Sequence, residues 1–137
     1  MPSVSKAKAY HANILFVTAG TNDIVLDNRA IEQLAGDFEL LLRRVPSEMH
    51  LIMTLIPYTS FWEHTVKIQE ANFILERFSK NWRFDMVDIN PELSGNGVVK
   101  SEYTFDGIHF NRRAYEIWTA RLMRVAGLSA RSPSREE

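Results

Sequence analysis

Three short apolar runs limit what this chain can fold into: residues 13–19 (NILFVTA), 50–56 (HLIMTLI) and 84–89 (FDMVDI). Each has the length of a strand, and helix-patterned stretches separate them. Ile31, Leu34, Phe38, Leu41, Leu42 and Val45 recur at helical spacing, with Asp27 or Asn28 as the expected cap and Pro46 as the stop. A second helix is expected over about residues 63–80, with Ile68, Leu75 and Phe78 among its apolar positions. After a loop containing Pro91, Gly95 and Gly97, a third starts near Asn111 and carries Tyr115, Trp118, Leu122 and Val125 on one stripe. Gly127 is its expected C-cap. The order is β-α-β-α-β-loop-α, which implies a parallel sheet with right-handed crossovers. The first run is apolar throughout, the pattern of a strand covered on both faces.

In such sheets, ligands bind beyond the carboxyl ends of the strands. Three segments lie there: Gly20-Thr21-Asn22-Asp23, residues 57–62, and the loop ending in DGIHFN, residues 106–111. An Asn and an Asp at the mouth of a core strand are costly to bury without partners. They commonly form an Asx-turn or cap a helix. Asp106 and His109 are three residues apart in a turn before a helix. At that spacing the carboxylate can accept the imidazole Nδ1–H and leave Nε2 free to take a proton. Taken alone, the same residues also describe a loop carboxylate beside a helix-start histidine.

Composition excludes several alternatives. With 137 residues the chain suits one domain. Sixteen basic and 17 acidic residues leave a net charge of −1, which gives no general attraction to nucleic acid or anionic membrane. There is no cysteine, so disulfides and thiolate chemistry are absent. His11, His50, His64 and His109 show no paired metal-ligand spacing, and no metal or cofactor is expected. No run is long enough for a signal-peptide core or a membrane span, so a cytoplasmic location is the default expectation. Residues 1–12 read as an N-terminal extension, 13–127 as the domain and 128–137 as a flexible tail.

Together, in this order and topology, the two polar motifs resemble those of the SGNH hydrolases, also called the GDSL esterase/lipase family. Gly20, Thr21, Asn22 and Asp23 match the family's Gly-x-Asn-Asp block; Asp106, Gly107, Ile108 and His109 match its Asp-x-x-His block. The flanks AGTNDI, LIPY, VDINPEL and YTFDGIHFNRRAYEIWTARL extend the resemblance over roughly residues 12–127. It implies a flavodoxin-like three-layer α/β/α fold with a parallel sheet of order 2-1-3-4-5, and a carboxylic ester hydrolase (acyl or acetyl esterase, lipase-like) needing no cofactor. It also implies site roles: His109 as general base and then acid, Asp106 as its orienter, Asn22 as oxyanion donor, with Gly20 and Thr21 in the binding turn. Tyr58, Phe61 and Trp62 are candidates for an acyl pocket and equally for plain packing.

The family's Gly-Asp-Ser block, which carries the nucleophilic serine, has no counterpart in this sequence. Ser3 and Ser5 (PSVSKAK) follow no Gly-Asp, and Ser60 and Ser101 read as loop hydroxyls. The chain is thus expected to carry the equivalents of strands 3, 4 and 5 and to lack the first two, with little activity alone. The alternatives are a non-catalytic SGNH-like module acting through protein–protein association, or a truncated gene product. The first strand is then open on one side, and association through the Asn13–Ala19 edge, with a second copy or a complementing chain, is expected. A small-molecule ester is the expected substrate once the missing segments are supplied.

Overall fold

The computed structural model describes residues 13–18, 20, 21, 24 and 29–128. Strands β1 (Ile14–Thr18), β2 (His50–Thr54) and β3 (Asp85–Val87) form a parallel sheet in the order β1-β2-β3. Ile14 aligns with His50 and Thr18 with Thr54; Ile52 aligns with Asp85 and Thr54 with Val87. All three strands therefore end at the same side of the sheet.

Helices α1 (Ile31–Arg44) and α2 (Thr65–Trp82) cover one face. Their residues Leu34, Phe38, Leu41, Ile68, Ala71 and Leu75 pack on Leu15, Val17, Leu51 and Met53. These alternate along the strands, as side chains on one sheet face must. After β3 come a short helix α3 (Asn90–Leu93) and a hairpin of β4 (Ser94–Gly95) and β5 (Val98–Val99). Helix α4 (Arg112–Val125) then covers the other face, packing Ala114, Ile117, Trp118 and Leu122 around Ile52 and Val87. The result is the expected three-layer α/β/α arrangement.

Several boundaries differ from the sequence reading. Helix α1 is capped by Ala30; Asp27 and Asn28 lie outside the described residues. A 3₁₀ turn (Trp62–His64) precedes α2, so the α-helix proper starts at Thr65. The loop with Gly95 and Gly97 contains the α3 turn and a two-residue hairpin. Asn96 and Gly97 have φ of 55° and 82°, the pair of positive angles that an Asn-Gly hairpin turn adopts. Tyr115 lies off the buried stripe at 49% exposure, set edge-on against Phe110. Leu128 belongs to the helix terminus: its N–H donates to the Met123 carbonyl and that of Gly127 to Arg124, a Schellman motif with Gly127 at φ 76°.

The expectation that both faces of the first strand are covered is also corrected. Leu15 and Val17 are buried, but Phe16 is 39% exposed on the opposite face. Helix α4 packs with Ile52 of β2 and Val87 of β3, in a cluster that Ile14 of β1 joins and Phe16 does not. Among the described residues, β1 is also an outer strand of the sheet.

Candidate functional site

Of the three loops expected at the carboxyl ends of the strands, the one after β2 and the one before α4 are joined directly, and Gly20 at the start of the first packs on Ile56 at the end of the β2 segment. Gly20, directly after β1, has φ 107° and is buried. That φ favours glycine, and a Cβ there would sit 2.6 Å from Ile56 Cδ1, where the end of β1 packs against the segment leaving β2. The Ile24 N–H donates to the Gly20 carbonyl at 3.0 Å, so one helical turn opens at this point. Thr21 is half-buried in that turn; Asn22 and Asp23 lie outside the described residues.

Two buried asparagines fix the segment after β2. Asn72 of α2 accepts from the Ile56 N–H at 2.7 Å and donates to the Ile56 carbonyl at 2.9 Å. Asn90 donates to the same carbonyl at 3.1 Å and accepts from the Tyr58 N–H at 2.9 Å. An irregular stretch of buried backbone thereby gains the partners it needs. The Trp118 indole N–H, from α4, donates to the Thr54 hydroxyl at 2.9 Å. The sequence reading did not single out Asn72 or Asn90. Each is a buried polar residue within an apolar pattern, and that is the signal that could have found them.

Beyond this anchor, the Ser60 N–H donates to the Gly107 carbonyl at 2.8 Å, joining the loop after β2 to the turn before α4. Gly107 has φ 89° and is buried, with Ser60 Cβ 3.1 Å and Phe61 Cε2 3.2 Å from where its Cβ would be. Thr104 staples the same turn. Its hydroxyl accepts from the Gly107 N–H at 2.9 Å and donates to the His109 carbonyl at 2.7 Å. Asn111 ends it as the N-cap of α4, accepting from the Ala114 N–H at 3.1 Å.

Within this turn Asp106 and His109 are paired. Asp106 Oδ2 lies 2.6 Å from His109 Nδ1, while Oδ1 accepts from the His109 N–H at 2.7 Å and the Ile108 N–H at 2.9 Å. The His109 backbone N–H, then the imidazole contact, then the Ile108 N–H hold the Asp106 pKa down, from 3.8 to about 2. At ordinary pH the carboxylate therefore only accepts, so Nδ1 carries the proton of the shared hydrogen bond. Nε2 has no hydrogen-bond partner among the described residues, and neither Ser60 nor Ser101 bonds to it. Phe105 stacks on the imidazole with centroids 6.1 Å apart and is 73% exposed; Phe61 and Trp62 are exposed on the facing loop. Tyr58 is half-buried, its hydroxyl accepting from Gln69. No cluster of three or more metal-ligating side chains occurs among the described residues.

No protein-family model matches the chain. Over 105 residues it is 29% identical to an N-acylneuraminate cytidylyltransferase of Streptococcus agalactiae, an alignment covering 74% of this chain but 25% of that protein. The chain thus spans about a quarter of the curated relatives it matches. Among solved structures it superposes on a lipase/acylhydrolase from Enterococcus faecalis with a TM-score of 0.75 and 19% identity, over 91% of this chain and 67% of that one. A GDSL-like lipase from Bacteroides thetaiotaomicron gives 0.66 and 22%, over 82% and 61%. An acetylxylan esterase from Geobacillus stearothermophilus gives 0.72 and 13%, over 96% and 71%. Layer order and parallel sheet agree with these neighbours: the chain has the fold of these GDSL-type lipases and esterases, over about 60–70% of their length.

Proposed function

We propose that the chain is the C-terminal part of an SGNH-type carboxylic ester hydrolase that removes acetyl or other short acyl groups from carbohydrate esters. The observation that carries the reading is the Asp106–His109 pair, held beyond the carboxyl ends of the strands with Nε2 unoccupied. In this reading a serine, contributed by a segment with no counterpart in these 137 residues, gives its proton to His109 Nε2 and attacks the ester carbonyl. The oxyanion that forms is met by donors of the Gly20-Thr21-Asn22 turn, with the Asn22 amide as the side-chain donor. His109 returns the proton to the departing alcohol, and then activates water against the acyl-enzyme. Asp106 holds the imidazole in the tautomer this requires. The chemistry uses no cofactor. The carbohydrate part of the proposal draws on two names, an acetylxylan esterase among the structural neighbours and an N-acylneuraminate enzyme among the relatives.

The missing nucleophile has a second consequence. The Asn13–Ala19 edge is proposed as the surface where strands completing the sheet, or a second copy, add on.

p-Nitrophenyl acetate and acetylated sugars test the reading. The lone chain should turn over at or near background, because a triad without its nucleophile keeps only binding and oxyanion stabilisation. A polypeptide that also carries a Gly-Asp-Ser segment should be active, and His109→Ala in it should lower kcat by a factor on the order of 10⁴ or more. Robust turnover by the lone chain that disappears on Ser60→Ala or Ser101→Ala would overturn the proposal and reveal a displaced nucleophile.

A further inference from the structure

Away from the Asp106–His109 pair, a groove of about 440 Å³ runs between α2 and the excursion formed by α3 and the β4–β5 hairpin. Its size falls within the roughly 300–1,000 Å³ of small-molecule sites. One wall is a single face of α2, with Gln69, Phe73 and Glu76 at helical spacing; Asp88, Pro91 and the hairpin form the other. The hairpin wall is fixed by the Thr65 hydroxyl, which donates to the Gly97 carbonyl at 2.7 Å. A Cβ on Gly97 would lie 2.7 Å from Thr65 Cγ2, so the hairpin tip docks directly on the start of α2.

The groove has a mixed polar and apolar lining, and part of its hydrogen-bonding capacity is unused. Asn72 and Asn90, each 8% exposed, line it. Each gives one amide hydrogen to the Ile56 carbonyl, and the second N–H of each makes no hydrogen bond among the described residues. Ser94 Oγ is buried with no partner. Asp88 uses one carboxylate oxygen to accept from the Asn90 N–H, and the Glu76 carboxylate makes no ion pair among the described residues. Phe73 adds an apolar ring that is 59% exposed, with the Arg77 guanidinium 6.0 Å from its centroid.

Charge and hydrogen-bonding capacity narrow the occupant. The lining itself holds two carboxylates and no cation, with the Arg77 guanidinium outside it on the Phe73 ring, so the carboxylates disfavour an anion. An apolar ligand would seal in amide and hydroxyl groups without partners, which is costly. A bare cation would satisfy the carboxylates and leave the donors unused. Sugar hydroxyls both donate and accept, and the C–H face of a pyranose packs on an aromatic ring. We propose that this groove binds a neutral polyhydroxylated ligand of the sugar class, at a site separate from Asp106 and His109. The inference stands on the groove alone and does not require the ester-hydrolase reading.

Amide NMR of the 137-residue chain tests it, with methyl β-glucopyranoside and xylotriose as neutral probes and sodium glucuronate, calcium chloride and spermidine as charged ones. The neutral sugars should give saturable shifts at the Asn72 and Asn90 side-chain amides and along residues 95–97, and glucuronate should give none. Phe73→Ala and Glu76→Gln alter exposed side chains and should leave the thermal midpoint and the His109 signals in place. Each should weaken sugar binding about tenfold, the effect of losing a contact worth about 1.4 kcal/mol. Saturable shifts with calcium or spermidine but not the sugars would make the groove a cation site and overturn the proposal. So would sugar shifts confined to His109 and its neighbours, or sugar binding that neither substitution changes.

Discussion

Asp106 holds the candidate site together through three donors on one carboxylate, and that makes the turn acid-sensitive in a defined window. Its pKa is depressed in the folded chain, so the stabilisation is fully present above the ordinary value of 3.8 and is lost as pH falls through about 2. The Ile108 and His109 amide resonances should therefore hold their positions to below pH 3 and move with a midpoint near 2. A midpoint at 3.8 would mean that the three donors do not act on the carboxylate in solution. Thr104 works on the same turn from the other side, through its bonds to Gly107 and His109. Thr104→Val removes both hydrogen bonds and should cost about 1–2 kcal/mol in thermal unfolding. It should also reduce the fraction of His109 protonated at Nδ1, read from imidazole ¹⁵N shifts, with Thr104→Ser restoring it. An unchanged tautomer in Thr104→Val would assign the hydroxyl to stability alone. The Asp106–His109 pair was legible in the sequence because it closes over three residues, a distance at which spacing fixes geometry. Asn72 and Asn90 were not, because they act on Ile56 from 16 and 34 residues away, and nothing local to either marks the partner.

Element by element, existence and order were readable and ends were less so. Apolar periodicity locates α1, α2 and α4 because burial of one face decides whether they form. Ends are set by a few hydrogen bonds. Asn111 caps α4 with its side chain and was expected at that start, whereas Ala30 opens α1 with no cap from its own side chain, the Gln33 side chain accepting from its N–H instead. The Asn96-Gly97 turn carried a recognisable signal that composition alone, read as a glycine-containing loop, does not reveal. Helix α2 ends on Arg83 at φ 56°, a left-handed conformation in a residue that has a Cβ. Such a residue carries strain of about 1–2 kcal/mol, against about 0.5–1 kcal/mol of extra chain entropy lost by glycine. Arg83 is exposed and makes no ion pair among the described residues. Arg83→Gly should therefore stabilise the fold by about 0.5–1 kcal/mol. Chemical denaturation measures this; a lower midpoint would show that the arginine side chain contributes an interaction that outweighs the strain.

At the scale of the whole molecule, the open edge of β1 was expected, and its uncovered Phe16 face is what the sequence could not show. An apolar run reports that its residues prefer burial, and Phe16 is as apolar as its neighbours; it does not report what buries them. Here α1 and α2 take the Leu15 and Val17 face, while α4 sits over β2 and β3 and leaves Phe16 39% exposed. The outer side of β1 has no strand partner among the described residues. An unpaired row of backbone donors and acceptors beside an exposed aromatic ring favours association with another strand. The nearest charged residues that could blunt this edge, Lys6 and Lys8, precede the strand and lie outside the described residues. The chain should therefore not be a free monomer at micromolar concentration. It should sediment and scatter light as a dimer through residues 13–19, or bind a chain that supplies the absent strands. Phe16→Lys places a charge on the exposed face without touching Leu15 or Val17, and should shift the population toward monomer. If the unmodified chain runs as a monomer and its residue 13–19 amides exchange slowly with deuterium, the edge is already covered from within the chain, and the assembly prediction fails while the Asp106–His109 geometry stands.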